Sequence, residues 1–124
     1  MPQPEHPVLY SVDLEGCTEI AALPPDRVSS VFVQALESAG ATVVKALHHN
    51  FPGAGLTCVL ILAESHAVLH TWPETGTVNV DIFSCSPRLK SLAAIASLRR
   101  SFGASGVSVQ EILRADGHPH ATRR

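Results

Sequence analysis

The sequence is short of charge, and of positive charge in particular. Only 16% of its 124 residues are charged, with nine Lys and Arg against eleven Asp and Glu. A net charge near −2 provides no basic field to attract a nucleic-acid backbone. Long apolar runs are missing as well. The longest, Cys58–Ala63, is far too short to span a bilayer, so no membrane partner is expected. The opening MPQPEHP is polar and proline-rich and has no signal-peptide core. Cysteine is scarce: Cys17, Cys58 and Cys85 form an odd, unpatterned set. Such a set argues against a disulfide framework and for reduced thiols in a cytoplasmic protein.

What the chain does have is apolar surface, at 45% of residues, enough for one globular domain that is marginal alone and inclined to associate. No internal repeat or linker divides it, so residues 1–124 read as a single domain. Residues 1–7 and 116–124 read as frayed, disordered ends. His118 and His120, in the second of these, fit a solvated tail better than a metal pair.

Periodicity orders the elements. Val8–Leu14 alternates as a strand. After Pro24-Pro25, Asp26 is positioned to cap a helix. Its apolar stripe is Val28, Val31, Phe32, Ala35, Leu36 and Ala39, and it stops at Gly40. Thr42–Leu47 is a second strand and His48–Gly55 a loop. Leu56–Leu62, almost wholly apolar, reads as a strand buried on both faces. Ala67–Trp72 is a strand stopped by Pro73. Thr77–Cys85 alternates again after a turn at Glu74–Gly76. Pro87 opens a second helix, with Leu89, Leu92, Ala93, Ala96, Leu98 and Phe102 facing inward. Ser105–Leu113 closes as a strand. The expected fold is an α+β two-layer sandwich. It has one mainly antiparallel sheet with two helices on one face, dimerising through or beside the sheet.

Reactive residues crowd one segment, Ala63–Glu74, where Glu64-Ser65 ends a buried run and two histidines follow. Such groups are costly to bury unless paired or used. His66 and His70 have a helical chelating interval. On a strand they stand roughly 13 Å apart, too far for one ion, so no metal is expected. Ser65 with His70 as base faces the same obstacle, a span of up to ~16 Å. Either the chain turns sharply after Ser65, or the histidine comes from another subunit. The plain alternative makes Ser65 a turn residue and His70 a satisfied core histidine, and the residues alone leave both open. Cys58 fits an inert buried thiol, whereas Cys85, at a strand end, is better placed to face a cleft. Phe51 and Trp72 suit either stacking on a planar ligand or plain packing. Gly53-Ala54-Gly55 lacks the lysine of a phosphate loop.

Taken together, Glu64-Ser65-His66…His70-Thr71-Trp72-Pro73-Glu74…Val80-Asp81-Ile82-Phe83…Cys85 strongly resembles the bacterial and archaeal S-adenosylmethionine decarboxylases, small pyruvoyl-dependent proenzymes. The likeness runs from about Val8 to Leu113 and is densest from Phe51 to Cys85. It implies self-cleavage between Glu64 and Ser65. The Ser65 hydroxyl attacks the Glu64 carbonyl, and His70 removes the Ser65 α-proton. The cofactor is then a pyruvoyl group made from Ser65, with no pyridoxal phosphate and no metal. That ketone forms a Schiff base with the substrate amine and accepts the electrons released with carbon dioxide. The resemblance assigns Cys85 as proton donor, Phe51 to stack on adenine and Glu74 to the ribose hydroxyls. It also implies a homo-oligomer in which histidine and serine come from different protomers.

Two departures stand out. Thr57 replaces the serine that usually supports processing, and its branched β-carbon narrows the rotamer choice. Thr75-Gly76-Thr77 and Ser84-Cys85-Ser86 replace aromatic and glycine-containing stretches. Trp72 and Asp81 belong to the motif without an assigned role. The expected activity is decarboxylation of S-adenosylmethionine for spermidine biosynthesis. Alternatives are a pyruvoyl-dependent arginine or ornithine decarboxylase, and a non-catalytic binding homologue.

Overall fold

A computed structural model describes residues 7–87 and 89–115. His118 and His120 and most of both expected frayed ends lie outside them. Six strands form one sheet: β1 (Val8–Glu15), β2 (Val43–Asn50), β3 (Leu56–Leu62), β4 (Ser65–Trp72), β5 (Thr77–Ser84) and β6 (Gly106–Leu113). Two helices, α1 (Pro25–Ser38) and α2 (Ser91–Phe102), pack on each other and on one face of the sheet. A single 3-10 turn, Ile20–Ala22, precedes α1. The strand order is β2-β3-β4-β5-β1-β6 and every pairing is antiparallel. This is the α+β two-layer sandwich that the periodicity implies.

The core lies between helices and sheet. Leu56, Cys58, Leu60 and Leu62 of β3 point into it, as do Ala67 and Leu69 of β4 and Val78, Val80 and Ile82 of β5. They meet Phe32 and Leu36 of α1 and Leu98 and Phe102 of α2, all four fully enclosed. The other residue of each strand pair lies on the face without helices. β3 is therefore not buried on both sides within one chain, contrary to its composition. Thr57 and Val59 are partly covered and Ile61 is 41% exposed.

Several boundaries also differ from the periodicity, among them the start of β4, which is Ser65 and not Ala67. β2 continues through His48, His49 and Asn50, because all three pair with β3, and only 51–55 form the loop. α1 begins with Pro25 at its first position and Pro24 before it. Asp26 is thus an acid in the first turn, favourable to the helix dipole, and not the cap. α2 starts at Ser91, four residues past Pro87. Its inward stripe is Ser91, Ala94, Ile95, Leu98 and Phe102, which leaves Leu92 60% exposed and Ala93 and Ala96 on the outer side.

Candidate functional site

The β3–β4 hairpin is unusually tight for its sequence. Leu62 pairs with Ser65, so only Ala63 and Glu64 lie in the turn. Two-residue hairpins normally use residues that accept positive φ, above all Asn and Gly. Neither occurs here. Ser65 instead carries the distortion, with φ at +153°, the one positive value at a non-glycine among the described residues. A residue held in such a sparsely populated region stores about 1–3 kcal/mol.

Glu64 is fixed by both its side chain and its carbonyl. The side chain is only 6% exposed, and its Oε1 accepts the Thr42 backbone N–H at 3.1 Å. Thr42 returns a bond by accepting the Ala63 N–H at 2.9 Å. The Glu64 carbonyl oxygen accepts the Cys85 backbone N–H at 3.4 Å, with Cys85 Sγ 3.8 Å away. A backbone N–H beside a carbonyl is the kind of group that can meet negative charge on its oxygen. Cys85 is exposed, whereas Cys17 and Cys58 are buried. This backbone donor could not be read from the sequence, because β5 meets the hairpin only through the sheet.

The second cluster lies at the opposite end of β4. Thr57 Oγ1 and His70 Nδ1 share a hydrogen bond of 2.8 Å across the β3–β4 pair. Together with Phe51, Trp72 and Glu74 they line a cavity of about 420 Å³ at this end of the β3–β4 pair. His49 packs edge-on against Phe51, centroids 4.7 Å apart, and so orients that ring.

Thr57 and His70 belong to a polar row that crosses the whole sheet. His49, Thr57, His70, Asn79, Asp13 and Ser108 stand opposite one another from β2 to β6. Nothing in the local sequence revealed that Asp13 and Asn79 share a row with His70.

The structure thus gathers Phe51, Thr57, His70 and Glu74 at one end, and Glu64, Ser65 and Cys85 at the other. It does not bring the two groups together within a chain. His70 is five strand positions on from Ser65, a distance of about 16 Å. His66, on the same strand face, packs at 5.3 Å against the ring of Phe83.

The family model described as S-adenosylmethionine decarboxylase matches residues 9–115. The chain is 37% identical over 89 residues to an S-adenosylmethionine decarboxylase proenzyme from Acidithiobacillus ferrooxidans, spanning 72% of this chain and 67% of that one. It is 33% identical over 102 residues to the proenzyme of that name from Moorella thermoacetica, covering 82% of each. The fold matches a crystal structure of the adenosylmethionine decarboxylase from Aquifex aeolicus VF5 with a TM-score of 0.81. That match covers 98% of this chain and 100% of that one at 23% identity.

Proposed function

This chain belongs to the S-adenosylmethionine decarboxylase family, and from that premise we propose that it is a self-processing decarboxylase acting on S-adenosylmethionine. It is a carboxy-lyase of polyamine biosynthesis, made as a proenzyme. The observation that carries the reading is the Glu64–Ser65 junction, where a strained serine follows a carbonyl held by Cys85.

Maturation on this reading begins at Ser65. The Ser65 hydroxyl adds to the Glu64 carbonyl carbon, the amide C–N bond breaks, and the acyl group moves to oxygen. Charge on the Glu64 oxygen is met by the Cys85 N–H, and the distortion at Ser65 is released as the amide opens. His70 then takes the Ser65 α-proton. The Glu64 carboxylate leaves, and water converts the dehydroalanine to a ketone with loss of ammonia. Thr57 supports His70 through its 2.8 Å contact on Nδ1, which leaves Nε2 for the proton.

Position 65 then carries a pyruvoyl group, which supplies the electron sink for loss of carbon dioxide. Cys85, just past the end of β5, adjoins position 65 and returns a proton to the substrate α-carbon. Phe51 stacks on adenine and Glu74 accepts the ribose hydroxyls, both at the cavity that His70 also lines. Because His70 lies about 16 Å along β4 from Ser65, one chain supplies the histidine and a second copy the serine. The open sheet face is the surface through which the copies meet. No described helix is long and apolar enough to cross a membrane. We place the enzyme in the cytoplasm, where Cys85 stays reduced.

Intact-mass spectrometry of the purified protein tests the reading. The parent should give two chains divided between residues 64 and 65, the second blocked by a ketone. Ser65→Ala should remain a single chain of 13.2 kDa. Carbon dioxide release should follow S-adenosylmethionine. Release from arginine or ornithine alone would reassign the substrate, and an uncut parent would reject the enzyme altogether.

A further inference from the structure

Trp72 is the chain's only tryptophan, and it walls the cavity shared by His70, Phe51 and Glu74. Within one chain it is 49% exposed, so that chain's own packing does not fix its ring. Two hydrogen bonds do. The indole Nε1–H donates to Asn79 Oδ1 at 2.6 Å, and Asn79 Nδ2 donates to Asp13 Oδ1 at 2.7 Å. These bonds tie β4 to β5 and β5 to β1 on the face without helices.

The chemistry of the three groups fixes the direction of the chain of bonds. An indole nitrogen only donates, a carboxylate only accepts, and an amide does both through different atoms. Asn79 can satisfy both neighbours in one orientation alone, oxygen to Trp72 and nitrogen to Asp13. Hydrogen bonds to a charged acceptor are the stronger kind, so Asp13 is the anchor. Asn79 also stands directly opposite His70 on β4, which puts the relay beside the processing base and not in a remote corner.

Resting on the proposed function, we infer that Asp13 and Asn79 are positioning residues that set the Trp72 indole as a wall of the substrate cavity. Neither is assigned contact with substrate. They act through the ring, on how well substrate binds and not on how fast bound substrate reacts. Neither touches Glu64, Ser65 or Cys85, and the ring of His70 is held by Thr57 and not by Asn79, so self-cleavage proceeds without them.

The test uses full-length, processed enzyme carrying Asn79→Ala, Asp13→Leu or Asp13→Asn, with the emission of Trp72 as a direct reporter. Asn79→Ala and Asp13→Leu should cleave completely and keep kcat near the parent value. Their KM should rise roughly three- to tenfold, the worth of one lost hydrogen bond. Their tryptophan emission should shift to the red and become more open to acrylamide quenching. Asp13→Asn keeps an acceptor oxygen for Asn79 and should restore both KM and emission. Unchanged KM and emission in the first two variants overturn the relay. So does a fall in cleavage, kcat and KM performance together, which marks a merely structural role. Should the parent fail to turn over S-adenosylmethionine, the function reading fails by itself. The emission of the variants then decides the relay alone: a red shift sustains it, and no shift ends it.

Discussion

Cys17, Cys58 and Cys85 are chemically the same residue in three surroundings, and depth separates their roles. Burial pushes the thiols of Cys17 and Cys58 above their ordinary value of 9.0, because the charged thiolate loses its water. Both stay protonated and unreactive in the folded chain. Cys85 is exposed beside the Glu64–Ser65 junction. Iodoacetamide at neutral pH should therefore label one thiol per native chain, Cys85, with loss of decarboxylation, and peptide mapping would locate it. The two buried thiols also set a pH limit. Above pH 9 the unfolded chain gives up these protons before the folded one does, so stability is full below that pH and falls as it rises further. Chemical denaturation at pH 8 and pH 10 should show the loss. The residues named from the motif were legible because they are packed into one short segment. Asp13 and Asn79 were not, because 66 positions separate them in the chain and only strand register joins them.

The helices and strands were legible wherever a pattern is clean on both sides, as in α1, where Val28, Phe32, Ala35 and Leu36 are buried as their spacing implies. In α2 the signal is ambiguous, since Leu89, Leu92, Ala93, Ala94, Ile95 and Leu98 are all apolar and admit two phases. Tertiary packing selects the phase centred on Leu98, and Leu89 is buried from the turn before the helix. Leu98→Ala should therefore cost about 2–5 kcal/mol, as for a large core residue. Leu92→Ala should stay within about 0.5 kcal/mol of the parent. Urea titrations of the two variants would reveal the phase directly. β3 misleads in another way. Its outer residues Val59 and Ile61 are apolar although no helix covers them, which is the composition of a strand with something laid on both sides.

At the scale of the molecule, a single chain holds the proposed site residues in two places. If a second copy joins them, two inactive variants should repair one another. Ser65→Ala chains lack the cleavable residue and His70→Ala chains lack the base, so neither should process by itself. In a mixed pair, one site takes Ser65 from the second variant and His70 from the first. Coexpression should then cut His70→Ala chains while Ser65→Ala chains stay whole, as read by mass. An uncut mixture would place both residues' work within one subunit.

If the chain is cut between Glu64 and Ser65 as proposed, the strand order has a last consequence. β1, α1, β2 and β3 fall to the first fragment, and β4, β5, α2 and β6 to the second. Yet β1 lies between β5 and β6, and β3 lies against β4. The fragments are threaded through one another like clasped fingers, and neither owns a complete layer. The proposed cut would convert an intramolecular folding problem into a bimolecular one. The precursor can renature at any dilution, whereas the mature pair, once fully denatured, must find its other half by collision and again adopt an arrangement that was made when the two were one chain.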